Sequence, residues 1–369
     1  MRHIGPQGLN LASYRRILWI TGGYRMTGQA LSQGLKTDAA LVLVADTTPD
    51  HNSATVVSRD LELASARYFR SLRNGLESLG RRVVHYGHPN QLQDAIRAHR
   101  NDLVVSIWSG THSRNRRALV PAICEAAGIR YVGADVFTQI VSQDKWLSRH
   151  MARQAGLRTA RGILIQSVEQ IHLAESLGFP VVVKPIHEGG SIGISNRSRC
   201  ESIDEVRELA SMLLESMCQP LLIEEFVAGR ETCVCILGGP NEFRFFEAVE
   251  LYPPGKPAGL YDQILGYELK KKAGLTFDYE HVSHLISDED RRAITRLLQR
   301  LNRAELIRVD GRIDDDGFCM LELSPDVHLG PDSDFGRAYE FIGSDYVTFL
   351  RDMVSTAEAH YASKGWEPS

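Results

Sequence analysis

The stretch Arg308-Val-Asp310-Gly-Arg-Ile-Asp-Asp-Asp-Gly-Phe-Cys-Met-Leu-Glu322-Leu-Ser324-Pro325 decides how this chain is read. It has the pattern of two short strands joined by an acidic turn, with one carboxylate on each strand. Asp310 and Glu322 offer hard oxygen ligands, and Arg308 lies two residues before the first. Such a set can hold a divalent cation and offset phosphate charge, as a magnesium–nucleotide site requires. The same residues also suit a solvated hairpin, since acids around an Asp-Asp-Asp-Gly turn are ordinary surface chemistry.

Two further segments shift the balance. Residues 181–194 read Val-Val-Val-Lys184-Pro-Ile-His187-Glu188-Gly189-Gly190-Ser191-Ile-Gly193-Ile. An apolar strand there delivers a lysine, and a glycine-rich loop follows whose backbone N–H groups can close over phosphate oxygens. The run Leu221-Leu-Ile-Glu224-Glu225-Phe226-Val227-Ala-Gly229-Arg-Glu231 is a strand entering a turn with three acids. Exposed backbone at that strand end can read adenine, and a carboxylate can accept ribose hydroxyls.

Composition bounds the rest. The chain has 369 residues, 43% hydrophobic content and a formal charge of -4, the profile of a soluble globular protein of two or three domains with no nucleic-acid signature. It contains no 18-residue apolar run, and Met1 to Tyr14 lacks the apolar block of a signal peptide, so a cytoplasmic protein without a membrane span is expected. Six cysteines at 124, 200, 218, 233, 235 and 319 show no paired C-x-x-C spacing, which argues against a zinc site or a disulfide framework. Cys233 and Cys235 share one face of a strand, where packing is expected over metal binding.

Strand and helix patterns alternate through residues 1–134: strands from Tyr14 and Leu41, a helix over Asp60 to Leu79, strands from Arg82 and Asn101, a helix over Leu119 to Ala127, and a strand from Arg130. That order predicts a parallel sheet flanked by helices. Gly22-Gly23 follows a strand, but no G-x-G-x-x-G completes a dinucleotide fingerprint. A helix from Asp144, the strand Arg161 to Ile165, a helix over Ser167 to Leu177, the lysine strand and a helix over Ile203 to Met217 follow as a smaller lobe, residues 135–217. Residues 218–369 supply a larger antiparallel sheet, an insertion at Tyr252 to Ala273, a helix from Asp288 to Asn302, the metal strands and a C-terminal helix from Ser344.

The order and spacing of these segments, with Asp144-Lys145 opening a helix, resemble the D-alanine–D-alanine ligase family of the ATP-grasp superfamily over residues 135–355. The resemblance implies an α/β ATP-grasp fold: an N-terminal parallel domain followed by two lobes that clamp ATP. By position, Lys145 and Lys184 would contact ATP phosphates, His187 to Gly193 (with Glu188, Gly189, Gly190 and Ser191) would form the phosphate lid, and Glu224, Glu225, Phe226 and Val227 would line adenine. Glu231 would hold ribose, Arg308 would stabilise the transferred phosphoryl group, and Asp310 and Glu322 would ligate one or two magnesium ions. Ser324 stands where the family has its third ligand, an asparagine; its hydroxyl is the shorter and poorer donor. Ser191 and Lys270 join Arg308 as expected catalytic residues.

The implied chemistry is ligation. A substrate carboxylate attacks the γ-phosphate, and an amine then displaces phosphate from the resulting acyl phosphate. The substrate segments depart from the family. Where it has H-E-V-S-L-x-S-A, this chain has Arg59-Asp60-Leu-Glu62-Leu-Ala-Ser65-Ala66, which places Asp60 and Glu62 at the first substrate. An acidic family loop becomes Thr111-His112-Ser113-Arg114-Asn115-Arg116-Arg117, either a solvated cluster or a reader of an anionic first substrate. At the acceptor end Ser333 keeps the family spacing but is flanked by Asp332 and Asp334, either a flat surface turn or a bias towards a cationic or neutral amine. Tyr261 and Lys270 to Lys272 resemble a mobile loop that closes over product, and read equally well as a solvated face.

These features predict a carboxylate–amine ligase on amino-acid-like substrates in specialised, natural-product metabolism. A true D-alanine–D-alanine ligase of cell-wall synthesis, an ATP-grasp phosphotransferase and a nucleotide-binding regulator without turnover are the alternatives. Small carboxylates and amines are the expected partners, and a homodimer is a family expectation only.

Overall fold

The computed structural model describes residues 39–48, 55–110, 113–271 and 277–365; the side chains of Arg59, Asp60, Lys270 and Lys271 are not included. The strand expected from Tyr14, the Gly22-Gly23 pair, Thr111, His112 and Lys272 lie outside the described residues, as do the side chains of Asp60 and Lys270.

Four parallel strands form the first sheet, in the order Val83–Tyr86, Leu41–Val44, Leu103–Ser106, Arg130–Tyr131. All four residues of Leu41–Val44 are buried, as a parallel strand covered on both faces requires. Leu41 and Leu43 pack with Leu72 and Leu76 of the helix Ala66–Glu77 and with Phe349 and Met353 of the C-terminal helix, while Val42 and Val44 pack against Leu92, Val120 and Cys124. The helix expected over Asp60 to Leu79 is shorter because Ser65 caps it, its hydroxyl accepting the Tyr68 N–H at 3.1 Å, and Arg59–Glu62 forms a separate 3-10 turn. Leu119–Ala127 stops where expected, at Gly128 with φ +66.

The second sheet runs Arg199–Cys200, Val181–Pro185, Leu221–Glu225, Gly162–Ile165. Leu221–Glu225, expected in the larger lobe, is therefore a central strand of the smaller sheet, flanked on both sides and buried through Leu221, Leu222 and Ile223. The helix Ile203–Met217 covers this sheet with Val206, Leu209, Ala210 and Leu213, the spacing of an amphipathic face. The helix expected over Ser167 to Leu177 is a 3-10 helix, Val168–Ser176, whose buried residues Ile171 and Ala174 are three apart, matching three residues per turn.

The third sheet has six strands, in the order Asp278–His281, Glu242–Tyr252, Arg230–Gly239, Leu306–Asp314, Gly317–Ser324, Arg158–Thr159. All neighbours are antiparallel except the last pair. Val234 and Ile236 face the helix Asp288–Leu301, and Cys233, Cys235 and Leu237 face the C-terminal helices. Both thiols are packed as expected, and burial pushes them well above the usual thiol range. A register shift between Asp310 and Gly311 interrupts the hairpin that carries the acids; bulges of this kind re-aim neighbouring side chains. A Cβ at Gly311 would collide with the Cys319 carbonyl and the Phe318 ring.

Candidate active site

A cleft of about 520 Å³ opens between the second and third sheets and reaches the end of the parallel strand Leu103–Ser106. Its lining contains Lys145, Lys184, Arg308, Asp310, Glu322 and Ser324.

At the hairpin, Asp310 faces Glu322 and Arg308 faces Ser324 across paired strands. Arg308 donates from Nε and Nη2 to the two oxygens of Asp310, at 2.5 and 3.0 Å, and from Nη1 to Asp334. The flanking acids Asp310 and Asp334 raise its affinity for a proton despite burial. The Ser324 hydroxyl donates to Asp310 at 2.9 Å, and the Lys145 ammonium meets Glu322 at 2.9 Å. Two facing carboxylates with an adjacent hydroxyl form a hard-oxygen donor set that fits magnesium, an ion that completes its octahedron with phosphate and water. Among the described residues no cluster of three or more His, Cys, Asp or Glu side chains forms a denser metal cage.

Deeper in the cleft, Lys184 reaches Glu224 at 2.5 Å, and Arg149 meets the other oxygen of Glu224 at 2.7 Å. Burial would push the Glu224 carboxyl up, but Lys184 and Arg149 outweigh it and hold the group below its usual range. The Glu224 carboxylate thus acts as the anchor of two cations. Glu225 accepts from Gly178 N–H at 3.0 Å and pairs with Arg161 at 3.1 Å. Phe226 lies under two guanidiniums, Arg199 at 4.8 Å and Arg312 at 4.9 Å from the ring centre. Arg312 also pairs with Glu231 at 2.9 Å and donates to the Val227 carbonyl at 3.0 Å. Arg312 and Arg149 were not singled out from the sequence, although Arg308, Asp310 and Arg312 repeat every second residue, the spacing of one strand face.

The glycine loop is stitched on both sides. Glu188 accepts from Arg116 at 3.1 Å and from Gln219 at 2.7 Å, and Lys145 donates to its carbonyl. The hydroxyl of Ser191, a residue at φ +64, donates to the Leu265 carbonyl at 2.9 Å. His187 is buried, which lowers its imidazole from the usual range.

The expected substrate residues divide. Glu62 lies at the centre of a network, meeting Arg116 at 2.9 Å, Arg117 at 2.7 Å and the Gly189 N–H at 2.9 Å. Burial would push its carboxyl up, yet Arg117 and Arg116 outweigh this and hold it down to about 2. Two arginines of the run, Arg116 and Arg117, are engaged by acids rather than left to solvent. Arg116 is 1% exposed and shared by Glu62 and Glu188, and Arg117 pairs with Glu62 and Asp326. Arg114 is exposed and, unlike Arg117, is not part of the cleft lining. Tyr261 is also outside that lining; its carbonyl accepts from Gly229 N–H at 3.0 Å and from Arg312 at 3.2 Å. Ser333 is spent as a helix cap, accepting the Gly336 N–H at 3.1 Å. The turn it belongs to is not a flat surface: Asp332 is 65% exposed, but Asp334 is buried against Arg308.

Residues 152–355 match a family model described as D-ala D-ala ligase C-terminus. A D-alanine–D-alanine ligase of Halalkalibacterium halodurans is 29% identical over 315 residues, covering 82% of this chain and 95% of the relative. One from Rhizorhabdus wittichii is 25% identical over 312 residues, covering 83% and 95%. The solved D-alanine–D-alanine ligase of Bacillus anthracis complexed with ATP superposes with a TM-score of 0.65 at 16% identity, covering 88% of this chain and all 100% of that one. The VanG D-Ala:D-Ser ligase of Enterococcus faecalis gives 0.61 at 14% identity, covering 87% and 100%. At such identities the structural likeness establishes the ATP-grasp fold.

Proposed function

The chain belongs to the D-alanine–D-alanine ligase family, and on that premise we propose that it is an ATP- and magnesium-dependent, ADP-forming carboxylate–amine ligase. The observation that carries this reading is the convergence of Lys145, Lys184 and Arg308 with Asp310 and Glu322 on one cleft between two sheets. The sheets of residues 162–225 and 230–324 are the proposed jaws. Asp310, Glu322 and Ser324 would hold magnesium, which when bound neutralises phosphate charge. Lys184, fixed by Glu224 and Arg149, and Lys145, fixed by Glu322 and the Glu188 carbonyl, would present ammonium groups to phosphate. Glu231, Phe226 and Val227 would take the nucleoside end. Arg308 would meet the charge that develops on the transferring group, and the closed glycine loop would keep water from a phosphorylated carboxylate.

Two substrate readings follow. Similarity to curated D-alanine–D-alanine ligases over four-fifths of the chain favours the housekeeping dipeptide ligase. The rebuilt substrate end, with Glu62, Arg116 and Arg117 locked together and Asp334 beside Arg308, favours a specialised amide ligase. ADP release measured with magnesium and ATP over a matrix of D- and L-amino acids, other carboxylates and amines, with product masses, separates them. D-Ala-D-Ala as sole product supports the first; condensation only with another pair supports the second; no ADP release with any pair counts against ligation altogether.

A further inference from the structure

We infer that Asp334 sets acceptor specificity in this cleft, so that the amine the enzyme takes carries no free carboxylate beside its nitrogen. The inference rests on the ligase reading and extends it to the class of the second substrate. An acceptor with an α-carboxylate needs a cation to meet that charge. Among the described residues, the cations that line the cleft near the metal hairpin are Arg308, Lys145 and Arg117, and each is paired with an acid. Every nitrogen of the Arg308 guanidinium donates to a carboxylate oxygen, two to Asp310 and one to Asp334. Lys145 pairs with Glu322, and Arg117 with Glu62 and Asp326. Asp332 adds an exposed acid to the same lining.

Asp334 is built in rather than adventitious. It opens the helix Asp334–Phe341 behind the Ser333 cap, and the next residue, Phe335, is buried against Phe349. Its charge suits the helix N-terminus. When Asp310 serves a metal ion, Asp334 still holds Nη1 of Arg308, and Nε and Nη2 are left for the transferring group. An acceptor carboxylate would therefore meet a guanidinium already shared between Asp334 and the transferring group, and a fixed like charge beside it, whereas a neutral or cationic amine would not be repelled.

The test pairs each acceptor with its carboxylate-free counterpart. Donor carboxylates are first screened with hydroxylamine, which captures an acyl phosphate as a hydroxamate. With the best donor, D- and L-alanine are compared with D- and L-alaninamide by ADP release and product mass, in the wild type and in Asp334→Asn and Asp334→Glu. The ratio of kcat/KM for amide over acid is read within each protein, so a general loss of activity cancels. Expected is a preference for the amide of at least about tenfold in the wild type, kept in Asp334→Glu and reduced about tenfold or more in Asp334→Asn. Equal or better use of the free amino acid by the wild type, or an unchanged ratio in Asp334→Asn, overturns the inference alone when hydroxamate forms. Absence of hydroxamate from every donor overturns the ligase reading and this inference with it.

Discussion

The carboxylate of Glu62 accepts the backbone N–H of Gly189 at 2.9 Å, across 127 residues of sequence. One acid from the N-terminal part of the chain thus holds the glycine loop in place while it neutralises Arg116 and Arg117. Because both guanidiniums are largely buried, the site is closed by charge as well as by shape.

Replacing Glu62 with Gln keeps the shape but takes the shared anion from two guanidiniums, leaving Arg116 to Glu188 and Arg117 to Asp326. Breaking one side of a buried ion pair costs about 3–5 kcal/mol, so Glu62→Gln should lower urea-unfolding stability at pH 7 by an amount in that range. A loss below about 1 kcal/mol would show that the network contributes little.

The same residue sets an acid dependence. Its carboxyl is held down to about 2 in the folded protein against 4.5 ordinarily, so its stabilisation is complete above pH 4.5 and fades as pH falls towards 2. That contribution is about 3 kcal/mol. Urea midpoints between pH 6 and 2 should fall less steeply in Glu62→Gln than in the wild type; parallel curves would contradict the assignment.

A methyl group at Gly189 would stand 2.8 Å from the Glu62 carboxylate and 3.0 Å from Arg117. Gly189→Ala should therefore displace the loop from its latch. The expected kinetic result is a severalfold rise in the KM for ATP with little change in thermal unfolding, and an unchanged KM would detach the latch from nucleotide binding.

Glu322→Gln removes one of two facing carboxylates while leaving a side chain that still fits beside Lys145. Losing several kcal/mol of metal-borne charge stabilisation corresponds to about a hundredfold or more in rate. Magnesium-dependent ADP release should fall by that factor with an unaltered circular dichroism spectrum; full turnover would refute the metal assignment.

Arg149 is a positioning residue, acting on Lys184 only through Glu224. Arg149→Met should raise the KM for ATP more than it lowers kcat, and Arg149→Lys should restore part of the loss. Equal effects on both constants, without rescue, would mean a general structural defect.

The sequence exposed what local pattern encodes. Lys184 emerges from an apolar strand, Asp310 and Glu322 face each other on paired strands, and the helix Ile203–Met217 ends as its spacing predicts. It did not reveal partners chosen by topology. Arg116 looks like a surface charge in the run 111–118 and is buried only because Glu62 and Glu188 arrive from elsewhere. Asp334 looks like one acid of a polar turn until Arg308 is seen against it. Leu221–Glu225 has the composition of a central strand in either sheet, and nothing local says which.

All four strands of the smaller sheet fall within residues 162–225, and the chain enters and leaves it at adjacent points, Gly162 beside Glu224 and the Glu225 N–H on the Arg161 carbonyl at 2.9 Å. Its two ends therefore lie about one strand spacing apart, roughly 5 Å. The glycine loop, Lys184 and Glu224 travel together in one cassette with side-by-side junctions. A recombination event could swap that cassette between relatives without cutting the flanking sheet, leaving Glu62, Arg116 and Arg117 as the test a newcomer must match.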